Sequence, residues 1–175
     1  MIQSLTKNQI EVLNYFVQHP ESEVHLRGLS EELELSYSST RRGLKELREQ
    51  GLLESEEKGN MTLYRSEGEK FRKAKKLVNL EKIEGSGLSE FLEKELRPEA
   101  IVLFGSYLEG QDREDSDIDL AVIGGREKKI ELTSFEEQLG RKIQLTTIQK
   151  LEDEGKEFKN TLANGLVLQG YMEVI

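Results

Sequence analysis

The chain has no cysteine, two prolines and two histidines in 175 residues, and its apolar runs stop at about five residues. Without cysteine there are no disulfides and no thiolate metal sites, and a cytoplasmic location is the default. A membrane span needs roughly 20 consecutive apolar residues, so the chain offers no membrane partner, and no charged-then-apolar signal peptide opens it. The histidines, His19 and His25, stand singly near helices of the N-terminal part, where surface or capping roles are expected. The prolines, Pro20 and Pro98, each follow a helical pattern and mark its end.

Charge is plentiful and unevenly placed. Residues 1–85 carry 14 Lys and Arg against 15 Asp and Glu, whereas residues 86–175 carry 11 against 19. The acidic second half repels nucleic acid unless a metal or a local basic patch intervenes, while the near-neutral first half can still present a basic face. The length suits two small domains, each with its own core.

Ile10, Leu13, Phe16 and Val17 recur at helical spacing after Thr6, a suitable N-cap. A second helix is expected over about Leu26 to Leu33. A third opens at Ser36 to Ser39, buries Leu44 and Leu47 and ends before Gly51. Leu52 and Leu53, a turn at Lys58, Gly59 and Asn60, and then Met61 to Arg65 predict a β-hairpin. Three helices and a hairpin over Ile10 to Arg65 resemble the winged helix-turn-helix of archaeal and bacterial transcription regulators. That resemblance implies binding to double-stranded DNA through the third helix, with Ser38, Arg42, Lys45 and Glu49 outward, Arg41 and Arg48 at the flanks and Lys58 at the wing tip; Ser38, Arg41, Arg42, Lys45 and Lys58 are the candidate DNA contacts. The alternation of these cations with Glu46 and Glu49 also fits a solvated helix of a protein-docking module.

Residues 67–87 predict a charged amphipathic connecting helix, with Gly85, Ser86 and Gly87 as its break. Another helix covers Leu88 to Leu96. Ile101 to Phe104 then form a short apolar run that stops at Gly105 and Ser106, a buried strand feeding a tight turn. Glycine lets the backbone approach a ligand, and the exposed N–H groups of a helix starting there favour an anion such as phosphate. After Ser116, the run Asp117, Ile118, Asp119, Leu120 has period two. It places both carboxylates on one strand face, about 7 Å apart at Cα. Such a pair repels unless a cation neutralises it, and hard oxygen ligands suit Mg2+ or Mn2+. Tyr107 packs or stacks on a base.

Gly105 and Ser106, ten intervening residues, and then Asp117-Ile118-Asp119 resemble the signature of the minimal nucleotidyltransferases of the DNA polymerase β superfamily. The resemblance covers about residues 88–170. It implies an NTP substrate, ATP first, with Gly105, Ser106 and Ser116 on the phosphates and Asp117 and Asp119 as catalytic, metal-holding acids. It also implies a hydroxyl acceptor, for which a toxin-like or other partner protein is one candidate. The family's third acid resembles the position of Gln144, which carries no charge and cannot act as a general base; Glu131 is the nearest other acid.

The expected architecture is therefore a two-domain α+β protein. It joins a winged helix-turn-helix over residues 1–66, a helical linker over 67–87 and an α/β nucleotidyltransferase fold with a mixed sheet over 88–175. Two readings stay open: an enzyme transferring a nucleoside monophosphate, or a DNA-binding regulator whose second domain is catalytically weak or inactive and serves nucleotide sensing or homodimer formation.

Overall fold

The computed structural model describes residues 5–173. Contacts within the chain divide it into two compact units that meet between Val78 and Asn79.

The first unit is built from α1 (Lys7–Gln18), β1 (Glu23–His25), α2 (Leu26–Glu32), α3 (Tyr37–Glu49) and the hairpin β2 (Leu53–Lys58) and β3 (Met61–Ser66). Thr6 caps α1 as expected. Its hydroxyl accepts from the Gln9 amide while the Gln9 side chain accepts from the Thr6 amide at 2.6 Å, a reciprocal capping box. His25 caps α2 by accepting the Gly28 N–H at 2.9 Å, which accounts for that histidine. Strand β1 carried no sequence signal, because three residues are too few for a period; it is held by antiparallel pairing with β3 in a sheet of order β1-β3-β2. Val12, Leu13, Phe16, Leu29, Leu44, Leu47 and Leu53 close the core with Phe71 and Ala74. Gly43 lets α3 approach α1, since a Cβ there would press on Val12 at 3.0 Å.

Helix α4 (Gly68–Ser86) contributes to both units and ends within the expected Gly85-Ser86-Gly87 break, running on through Gly85 and stopping before Gly87, which is left-handed (φ +74°). A single glycine inside a helix costs only about 1 kcal/mol against alanine, too little to end a helix whose Ile83 is fully buried three residues after Leu80 packs on the same core.

The second unit follows as α5 (Leu88–Leu96), β4 (Ala100–Phe104), α6 (Gly105–Glu109), β5 (Ile118–Ile123), α7 (Thr133–Leu139), β6 (Ile143–Ile148), α8 (Lys156–Ala163) and β7 (Leu166–Gly170). The sheet order is β6-β5-β4-β7, with β5 and β6 parallel and the other pairs antiparallel, so the sheet is mixed as expected. Ile101, Leu103, Ile118, Leu120 and Val122 face Leu88, Leu92 and Leu96 of α5 on one side. Ala100, Val102, Ala121, Ile123 and Ile148 face Leu151 and Leu162 on the other.

Two elements depart from expectation. The pattern of residues 149–163 predicts one terminal helix, but the structure has only α8, preceded by a 3-10 turn at Leu151–Asp153, because Gly155 is extended (φ −64°, ψ 149°) and starts the helix afresh. The apolar run at Leu166 is a full edge strand, paired with β4 across a register shift at Ile101 and Val102.

Candidate functional site

Strand β4 ends at Phe104 and α6 begins at once with Gly105, so the chain turns from sheet to helix without a loop. Gly105 has φ +76°, a conformation that side chains rarely adopt, and a Cβ there would collide with Oδ2 of Asp119. Glycine is thus required twice, by its own backbone and by the carboxylate lodged against it. No side chain caps the start of α6, and the first N–H groups of a helix have no partner within it.

Asp119 reaches this place because β5 pairs with β4 in the register Phe104 to Asp119. Asp117 lies one residue before β5 and is exposed, whereas Asp119 is partly buried. Burial raises the pKa of Asp119, and the neighbouring charge of Asp117 raises it further. No hydrogen bond contributes to that shift. A half-buried carboxylate pushed toward neutrality by a second carboxylate fits a divalent cation: the ion replaces the lost hydration and cancels the repulsion.

On the other side of Asp119 the parallel strand β6 sets Gln144 in register with it. Gln144, the residue expected at the third-acid position, therefore lies beside Asp119. Among the described residues no group of three or more His, Cys, Asp or Glu side chains could hold a metal. Glu131 is instead exposed and pairs with Lys129 at 3.8 Å.

The intervening loop is held by residues that sequence reasoning did not single out. Asn79, on α4, donates to the Tyr107 carbonyl at 2.9 Å and to Oδ1 of buried Asp112 at 3.0 Å. Arg141 stands 4.0 Å from the other Asp112 oxygen. Nothing in a chain that is 34% charged marks one Asn and one Asp as buried; only their separation in space does. Tyr107 is packed, and its hydroxyl is driven upward in pKa by that burial. Ser106 lies in the first turn of α6, and the Ser116 hydroxyl accepts the Arg113 N–H at 2.8 Å. An open cleft of about 360 Å3 adjoins Asp117, lined by Asp115, Ser116, Glu137, Arg141 and Lys142 among others. There Glu136 accepts from Lys142 at 2.8 Å and from the Ile143 N–H at 3.1 Å, and its pKa is lowered first by the Lys142 bond.

Residues 86–170 match the family model described as "Polymerase beta, Nucleotidyltransferase". This stretch is a polymerase β nucleotidyltransferase domain. The match spans every strand of the mixed sheet and both aspartates. No curated protein matches the chain. Among solved structures, a "possible transcriptional regulator from Methanosarcina mazei Go1" is similar at 20% identity, over 52% of this chain and 79% of that one, with a TM-score of 0.38. So low a score carries no argument. Among the described residues no helix is long and apolar enough to cross a membrane.

The other residues singled out in the sequence lie in the first unit, away from the nucleotidyltransferase domain's aspartates in sequence. Helix α3 buries Thr40, Gly43, Leu44 and Leu47 and leaves Tyr37, Ser38, Arg41, Arg42 and Lys45 exposed. Lys45 pairs with Glu49 at 3.7 Å. Lys58, at the hairpin turn, donates to Glu23 at 3.0 Å and lies 3.9 Å from Glu56, and the Glu23 bond above all raises its pKa.

Proposed function

We propose that the second unit transfers a nucleoside monophosphate from an NTP, ATP first, to a hydroxyl acceptor, with pyrophosphate leaving. The observation that carries this reading is the lodging of the Asp119 carboxylate against Gly105, with its pKa raised by burial and by Asp117, in a domain that matches the polymerase β nucleotidyltransferases. In this reading the backbone at Gly105 and the Ser106 hydroxyl bind the triphosphate, Ser116 shapes the loop that carries Asp117, and Asp117 and Asp119 are the acids that hold Mg2+ or Mn2+. When bound, the ion neutralises charge on the transferring phosphoryl group and favours the acceptor's alkoxide. Gln144 orients ligands through its amide and takes no proton. The acceptor is a hydroxyl on a partner protein.

The first unit, in the same reading, is a winged helix-turn-helix that binds double-stranded DNA through Ser38, Arg41, Arg42 and Lys45 of α3, and the chain works as a homodimer on a two-fold site in the cytoplasm. A second reading is favoured by one observation, the amide of Gln144 beside Asp119: the nucleotidyltransferase domain binds nucleotide without turning it over, and the protein is a regulator.

Labelled NTPs incubated with Mg2+ or Mn2+, alone and with candidate partner proteins, separate the two. Transfer of label that Asp117→Ala with Asp119→Ala abolishes establishes the enzyme. Nucleotide binding without transfer, lost in the same variant, establishes the regulator.

A further inference from the structure

We infer that the first unit meets DNA with the exposed face of α3 alone, Tyr37 included, and that the hairpin's own carboxylates hold the wing off the duplex. The inference rests on the reading of this unit as a DNA binder and sharpens it.

The two faces of the unit differ in which cations are available. On α3, Arg41 and Arg42 are exposed and belong to no ion pair or hydrogen bond among the described residues, unlike Lys45, which Glu49 holds, and Arg48, which donates to Ser55. Glu46, which would offset them, points back to α1 and accepts from Gln9 at 2.6 Å. The outward face is thus positive.

Tyr37, at the start of the same helix, is 57% exposed, the larger part of a ring left in water by the packing that buries Thr40 and Leu44. A rigid aromatic on the first turn of a groove-binding helix is placed to touch base edges or a thymine methyl, where burial of its ring replaces water.

The three-stranded sheet has the opposite character. Glu23, Glu54, Glu56 and Glu67 pair with its two cations, Lys58 and Arg65, and a fifth carboxylate, Glu57, accepts from the Thr62 hydroxyl on the same hairpin. Arg65 is shared between Glu54 at 3.3 Å and Glu67 at 3.0 Å, and Lys58 between Glu23 and Glu56. An exposed ion pair is worth at most about 1 kcal/mol, so a phosphate can displace one carboxylate from Lys58. It cannot displace five. The hairpin and its edge keep a net negative charge within a Debye length, about 8 Å at physiological salt, of any phosphate that approaches Lys58. Lys58 therefore pairs within its own sheet, and the hairpin is a repulsive element that lowers affinity for duplex of any sequence.

The test uses the full chain and a fluorescent random-sequence duplex, with affinity measured across a salt series. Lys58→Ala in the wild-type background should weaken binding only slightly, as the hairpin becomes one charge more negative, and should leave the salt slope unchanged, where a lysine on a phosphate would lower the slope by about 1. Glu23→Gln with Glu56→Gln should tighten binding severalfold, and Lys58→Ala in that background should now weaken it, because the freed ammonium has become a contact. Arg41→Ala with Arg42→Ala should lower the slope by about 2, and Tyr37→Phe or Tyr37→Ala should alter affinity without altering the slope. Circular dichroism on each variant separates misfolding from lost contact. A wild-type slope that Lys58→Ala lowers overturns the inference and leaves the DNA reading standing. Absence of any binding by the wild type at low salt overturns both.

Discussion

The charge of Asp119 works against the folded state. Burial and the nearby Asp117 raise its pKa, so the folded protein binds that proton more tightly than the unfolded chain does. Stability therefore falls as pH rises from the ordinary aspartate value through the raised one, and stays lower above it. Asp119→Asn should raise the melting temperature at neutral pH without divalent cation, and the gain should vanish in acid below the ordinary aspartate value. Mn2+ should raise the melting temperature of the wild type by mass action and leave Asp119→Asn unmoved. Thermal melts across pH and Mn2+ concentration check all three; equal melting temperatures for the two proteins at every pH would refute the account of Asp119. Gly105→Ala belongs at the same scale. It imposes a side chain at φ +76° and drives a methyl into the Asp119 carboxylate, so a loss of roughly 1–3 kcal/mol is expected in denaturant melts, together with the Mn2+ response.

Among elements, the loop between α6 and β5 depends on α4. Asn79 ties the Tyr107 carbonyl and the Asp112 carboxylate, both remote from it in sequence, and Asp112 is 3% exposed. Asn79→Ala should cost about 1–3 kcal/mol by removing one donor from each of these two acceptors. Asp112→Leu should cost more, roughly 3–5 kcal/mol, because Arg141 then keeps a charge with its nearby carboxylate gone. Hydrogen exchange at residues 111–117 should accelerate in both variants, since these bonds hold the loop's ends. On α3 the constraint is steric. Gly43→Ala should destabilise by about 1–3 kcal/mol, as overpacking against Val12 does, unless Val12 changes rotamer; the companion Val12→Ala should relieve it.

Over the whole molecule, each unit has a core of its own, a single cluster in the first and one on each face of the mixed sheet in the second, among the described residues. Leu44 and Leu103 are both fully buried, the first among helices and the second in the centre of the mixed sheet. Leu44→Ala and Leu103→Ala should each cost about 2–5 kcal/mol, and hydrogen exchange should show the lost protection in the unit that carries the change.

Much of this was legible in the chain itself. The N-cap at Thr6, the helical spacing of Ile10 to Val17, the Gly105-Ser106 stop and the alternation from Asp117 to Val122 are local patterns. Each is set by residues within a few positions of one another. Strand β1 was not legible, being three residues held by a partner 40 positions away. The helix start at Gly155 was missed because the helical spacing runs past it while its backbone does not.

For the site, the sequence by itself determined the residue types: a glycine that can turn sharply, two carboxylates two apart, and a glutamine further on. Tertiary structure alone decided what they do to each other. Strand register seats the Asp119 carboxylate in the space that Gly105 leaves and sets Gln144 beside it. It buries Asp112 under Asn79 and hands Lys58 to Glu23. These pairings join residues 14 to 35 positions apart, and the free energy of such a contact depends on distance and burial, which composition and spacing do not carry.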